Sequence, residues 1–298
     1  RAAVGAAIAV NLIQGNTAST LTNTGVTGIE NDSKAGKLDV TAEEASHISS
    51  IVASGAATSG MAAGFSASGN YISTKTEAKV DTAKVMKTGA LSVEAGNHSS
   101  ATIGVGMAAV GKNAAGASIA VMVNDSTVNA SLKGDAAKHN TIEADKIAVK
   151  ADNQYNGSAT DDEKDSKAKT VAIGAAGGTS QFAGSGSVTV NVITQKTDAT
   201  LDKGTYNARN GTVDVEATSG AKLFGMAGGL ALSAGSGLGA AVDVQSYTGH
   251  TYAGLADGVK LSNASAVNVN AASEEKMTSV AATLAGGAGS FAGAGAAG

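Results

Sequence analysis

"AIAVNLIQGNTASTL" at residues 7–21 and "SVTVNVITQKTDATL" at residues 187–201 share a length and an alternation of small, branched and polar side chains. The phrase recurs, centred on Asn11, Asn70, Met122, Asn191 and Gln245, at steps of 59, 52, 69 and 54 residues. A second phrase follows it, Thr17 to Leu21 matching Thr76 to Val80, Thr197 to Leu201 and Thr251 to Leu255, with Val128 to Leu132 a looser copy. A third reads "KLDVTAEE" from Lys37, "ALSVEAGN" from Ala90, "KIAVKADN" from Lys146, "TVDVEATS" from Thr212 and "AVNVNAAS" from Ala266. A unit of roughly 53 residues repeated in this way belongs to a solenoid, propeller or array rather than to one globular core. The expected organisation is a single repeat domain over residues 1–298, with repeats 1–60, 61–113, 114–182, 183–236 and 237–290 and a partial sixth, 291–298.

The phrases read as strands. Leu38, Val40 and Ala42 alternate with Asp39, Thr41 and Glu43, and Val213, Val215 and Ala217 with Asp214, Glu216 and Thr218, which is the period-two pattern of a strand with one dry face. The Ala-rich stretches carry Gly every few residues, each costing about 1 kcal/mol in a helix, so they too read as extended chain broken by turns. Turns are marked by Asn210-Gly211, Gly36 and Gly89 just before their strands. The fold class is therefore all-β, a parallel β-helix, with right-handed winding following the usual preference of parallel crossovers. A single coil of one unit would have a perimeter near 175 Å at about 3.3 Å per residue, more than small side chains can fill. Two coils of about 24 and 30 residues per unit are expected instead, with Val10, Val121, Val190 and Val244 in one inward file. Asn11, Asn70 and Asn191 are expected to stack as an amide ladder or to cap a bend.

Composition narrows the function classes. Forty Gly, no Pro, no Trp, four Phe and five Tyr describe a thin cross-section. With 25 acidic against 21 basic side chains, and Arg only at positions 1 and 209, no basic aromatic surface for nucleic acid is present. The absence of Cys removes disulfides and thiolate metal sites. Residues 223–242 carry no charge and could be taken for a membrane helix, but their counterparts hold Lys112, Asn113 or Gln181 and the stretch is Gly-rich, so no membrane insertion of this segment is expected. Repeat sequence begins at once after Arg1 and the chain stops inside a sixth copy, which reads as a piece of a longer protein.

The recurring "GAAIAVNLI", "GSVTVNVI" and "VDVEA" phrases, each with its Gly/Ala run-in, resemble the repeat regions of large Gram-negative exoproteins, the autotransporter passengers and filamentous-haemagglutinin-like adhesins. The resemblance covers nearly the whole chain and rests on pattern and composition. It implies a right-handed β-helical stalk, secreted or held at the bacterial surface through a part absent from this chain. It also implies a binding region projected outward in adhesion, coaggregation or biofilm, with a host-cell or bacterial surface protein or glycan as partner.

Catalysis is not expected. His47, His98, His139 and His250 share no repeat column, and neither GxSxG, HExxH nor GK[ST] occurs. Gly293, Gly295 and Gly298 match GxGxxG, which a chain with 40 Gly is expected to do by accident. A polysaccharide-cleaving β-helix would need clustered acids with Arg or Lys in one groove. No cofactor is expected. The insertion at about residues 153–169 contains "DDEKDSKAK", and Asp161, Asp162, Glu163 and Asp165 form a weak candidate calcium site, set against a plain solvated loop. A shorter insertion near residues 24–35, with Glu30 and Asp32, is read in the same way. The column Thr17, Thr76, Thr197 and Thr251 raises an ice-binding face, which the neighbouring Lys79 and Gly254 argue against. Two further readings are an end-to-end filament or surface-layer subunit, joined through unpaired coil edges, and the polysaccharide enzyme.

Overall fold

The computed structural model describes residues 1–24, 36–82, 84, 86–135, 137, 142–156, 168–288 and 292–298, and among these the secondary structure is all strand. The strands are β1 (Ala2–Thr22), β2 (Lys37–Glu44), β3 (His47–Ala57), β4 (Met61–Asp81), β5 (Met86–Lys133), β6 (Ile142–Asn156), β7 (Ala168–Leu201), β8 (Gly204–Asn207), β9 (Thr212–Ser233), β10 (Ser236–Leu255), β11 (Val259–Ser262), β12 (Ala266–Gly287) and β13 (Ala292–Ala297). Every pairing between them is parallel.

The pairing runs in two layers. In the front layer the register Val10↔Gly69↔Val121↔Val190↔Val244 steps from β1 through β4, β5 and β7 to β10. In the back layer it runs Lys37↔Ala90↔Lys146↔Thr212↔Ala266 through β2, β5, β6, β9 and β12, and further along the layer Ile51↔Gly104↔Val171↔Met226↔Val280 through β3, β5, β7, β9 and β12. Hydrogen bonds join the layers: Ser50 Oγ to Ser68 Oγ at 2.9 Å, Thr74 Oγ1 to Asn97 Oδ1 at 3.3 Å, Ser126 Oγ to Asn153 Oδ1 at 3.0 Å and Thr170 Oγ1 to Asn191 Oδ1 at 2.6 Å.

Each strand pairs with residues one whole unit away, not half a unit. The expected two coils per repeat are therefore corrected to one step per repeat. The filling argument assumed a round section, whereas these layers lie flat against each other and leave no wide interior. A Cβ added to Gly174 would lie 2.5 Å from the carbonyl oxygen of Gly186 in the opposite layer, so the backbones meet where a side chain would stand. The insertion near residues 153–169 does not disturb the register: Asn156 pairs with Ser100 and Lys169 with Thr102.

The dry interior changes character along the strands. In one half, Val80, Leu132 and Leu201 of the front layer pack with Val93, Val149 and Val215 of the back, while Lys79, Glu94, Lys133 and Lys150 point outward. This is the alternation the sequence predicts. Ile48, Val52, Ile103 and Val105 fill the middle. At the other end the core shrinks to seven alanines and Met107. There the bulky side chains are outside. The file of Val10, Val121, Val190 and Val244 is aligned as expected, but Val10 is 78 % exposed and Val244 46 %, so the expected inward placement is corrected. The inward neighbours are Ala9, Ala120, Thr189 and Asp243. Close approach of the two backbones leaves room for little bulk between the layers: beside inward Ile48, Val52 and Ile103 of the back layer the front layer supplies Ala9 and Ala120 and keeps its Val and Ile files on the outer face.

Candidate interaction surface

Outward positions in the Ala-cored half form an apolar stripe on both faces. On the front face it includes Val4, Ile8, Val10 and Leu12 of β1, Ile119, Val121 and Val123 of β5, and Val188, Val190 and Val192 of β7. On the back face four rows run from Ile51 to Ala57, Gly104 to Val110, Val171 to Gly177, Met226 to Leu232 and Val280 to Gly286; none of their outward residues carries a polar side chain. Exposure is not an effect of the end rungs alone. Val110, Ile173 and Leu232 lie between paired neighbours and are 51 %, 43 % and 48 % exposed. An open groove of about 510 Å³ crosses the front stripe, lined by Ala63, Ala115, Phe182, Gly184, Leu238 and Ala240 among others.

The other half presents neutralised charge. Lys133 lies 3.1 Å from Asp81, Lys150 3.3 Å from Glu216 and Lys196 3.3 Å from Asp198, the first two bridging adjacent rungs. Arg209 pairs with Asp145 at 3.0 Å.

Between the halves runs an internal amide network. Asn11 donates to Asn70 Oδ1 at 2.7 Å, which realises part of the expected ladder; Met122 then separates Asn70 from Asn191. A second file went unread in the sequence: Asn97 donates to Asn153 Oδ1 at 2.9 Å, and Gln195 reaches Asn153 at 3.4 Å. Tyr247 donates to Gln195 Oε1 at 3.1 Å. Asn70, Asn97, Asn153 and Gln195 are buried between the layers and hydrogen-bonded there, a structural role.

The remaining candidates separate. Asp161, Asp162, Glu163 and Asp165 lie outside the described residues, as do Glu30, Asp32 and His139. Among the described residues no group of three or more His, Asp or Glu is placed to hold a metal. His47 lies 2.7 Å from Ser100 Oγ, His98 3.8 Å from Asp152 and His250 3.4 Å from Asp198, at three distant points. Thr76 and Thr197 are buried between the layers, so their column is not an outward ice-binding face. Among the described residues no helix is long and apolar enough to cross a membrane.

Burial sets the ionisation of two tyrosines. Desolvation drives Tyr155 and Tyr206 well above the ordinary tyrosine range. Tyr206 Oη accepts the Gly134 N–H at 3.0 Å and lies 2.7 Å from the Asp202 carbonyl, tying two turns together. Burial also raises the Asp202 carboxyl, against the opposing pull of Lys133 and Lys79. Both tyrosine side chains are fully buried.

The chain matches no family model, no curated protein and no solved structure.

Proposed function

We propose that the chain is a structural segment of a large bacterial cell-surface or secreted adhesin. It is a right-handed parallel β-helix of flattened section, held outside the cell through another part of a longer protein. Its stacked faces meet host-cell or bacterial surface proteins or glycans in adhesion, coaggregation or biofilm. The observation that supports this most is the register carried from Ile8 through Ala67, Ile119 and Val188 to Val242, which makes successive units equivalent and lets a shaft be built by adding more of them. The resemblance of the repeated phrases to exoprotein repeats points the same way.

The test is adherence. Beads coated with the purified chain are expected to bind cultured epithelial cells or Gram-negative bacteria saturably, in competition with soluble chain. Binding no greater than that of albumin-coated beads, to either cell type, would refute the adhesin reading.

A second reading is a filament joined end to end. Val267, Val269 and Met277 of β12 are 43 %, 46 % and 48 % exposed, although Val213, Val215 and Leu223 beneath them are buried. The end rung thus offers a stacking face to another rung. Sedimentation that grows with concentration, and is abolished by Val267→Lys with Val269→Lys, supports the filament; a single monomer boundary at high concentration excludes it.

A further inference from the structure

We propose that the Ala-cored half of the slab enters a lipid bilayer edge-on, its two apolar faces against acyl chains and its charged half in water. Five observations lead there. The stripes are large: six front rows over five rungs span roughly 35 Å by 24 Å at strand spacings, about 800 Å², beyond the few hundred Å² that monomers usually expose. They occupy both outer faces and meet at one rim. A flat partner, including a second copy, covers one face and leaves the other wet, whereas a bilayer covers both.

Depth is the third. About 8 to 11 residues separate the rim from the first polar rows on the two faces, or about 25–35 Å, which matches the hydrocarbon core of about 30 Å. Fourth, polar side chains sit between the layers. Ser50, Ser68 and Thr170 hydrogen-bond across them, with the Ser185 and Ser187 hydroxyls, the Asn191 amide nitrogen and Asp243 also inward, and the backbone of each inner rung is laddered on both sides, as a hydrocarbon environment requires. The open ladders of the first and last rungs need a further rung or a second molecule beside them.

Fifth, polar groups lie at both limits of the stripe. Lys169, Lys222 and Lys276 point outward in the rows next to the back stripe, while Lys75, paired with Glu77, and Lys196, paired with Asp198, do so beyond the front one. Such side chains reach phosphate while their stems lie along apolar surface. The rim carries Thr58, Ser59, Lys112, Ser180 and Gln181, suited to the far headgroups. Edge-on entry departs from the expectation of no membrane insertion, which rests on a helix through residues 223–242 and does not weigh entry by strands.

The inference stands apart from the adhesin reading and is tested without cells. The chain has no Cys, so single Val190→Cys, Ile173→Cys and Lys150→Cys variants can each carry one environment-sensitive fluorophore. With phosphatidylcholine vesicles, the probes at 190 and 173 are expected to shift to the blue and to be quenched by lipids brominated in the acyl chains, while the probe at 150 is unchanged. In flotation, the combined Val121→Thr, Val190→Thr and Val244→Thr variant should lose vesicle binding by roughly tenfold or more. It keeps the strand-forming branch and alters only outward positions. Circular dichroism confirms that each variant is folded. Silent probes at 190 and 173 in a folded protein overturn the proposal. So does a concentration-dependent shift without lipid that vesicles do not add to, which assigns the stripe to a second copy.

Discussion

Gly174 and Gly186 lie on the same strand, β7, on opposite sides of the front-to-back contact, and substituting each by Ala tests the inverted half directly. At Gly174 the new methyl would stand 2.5 Å from the Gly186 carbonyl oxygen and 3.3 Å from its carbon, where a layer must move to admit it. Overpacking of this kind costs about 1–3 kcal/mol. At Gly186 nothing lies within 4 Å of the added carbon. Ala there removes unfolded-state freedom and should leave the protein unchanged or more stable by about 0.4–1 kcal/mol. Urea unfolding followed by circular dichroism on both variants and the parent gives the comparison. Because stability in a repeat protein is distributed over neighbouring units, midpoints and slopes are compared together. Equal midpoints, or a lower one for Gly186→Ala, would refute the close approach and the outward placement of the Val and Ile files that follows from it.

Other outcomes are as specific. Tyr206→Phe leaves the Gly134 N–H without its buried acceptor and should cost about 1–3 kcal/mol in urea unfolding. Asn153→Ala removes the acceptor shared by Asn97, Ser126 and Gln195 and should cost about 2–4 kcal/mol, with faster hydrogen exchange in β5 and β6. Val215→Thr, buried, should destabilise by about 1–3 kcal/mol, while Val190→Thr, outward, should stay within about 0.5 kcal/mol in lipid-free buffer. Burial raises the folded-state values of Tyr155 and Tyr206 above the ordinary value near 10, so their contribution is fully present below about pH 10 and is lost as pH rises beyond it. Absorbance at about 295 nm should show these two tyrosines ionising together with unfolding rather than in the earlier, exposed wave; two early ionisations in folded protein would contradict their burial.

Much of the fold was legible because equivalent residues stack. The anchors Asn11, Asn70, Met122, Asn191 and Gln245 are the residues that pair, as are Lys37, Ala90, Lys146, Thr212 and Ala266. The number of coils was not legible, since residue count gives a perimeter and not whether it encloses a circle or a flat slot. Nor was the side on which the Val files lie. Alternation reports two faces without saying which is dry, and the rule that bulk goes inward fails where backbones nearly touch. One signal was present: adjacent bulky residues, Leu12-Ile13, Val192-Ile193 and Leu223-Phe224, mark where the apolar parity changes sides within an unbroken strand. The calcium candidate had only acidic composition to support it, and its residues lie outside those described.

One step per unit also fixes how the molecule grows. Lys37 to Ala90 is 53 residues of chain, yet the two are neighbours in a ladder spaced by about 4.8 Å, so about eleven residues stack into each ångström of height. A coil of about 24 residues would rise more than twice as fast. Lengthening this chain therefore extends its reach slowly and its flanks quickly: an added unit contributes less than 5 Å of height but a ribbon about 70 Å wide on each side. A shaft of such units is short for its chain length and broad along its flanks.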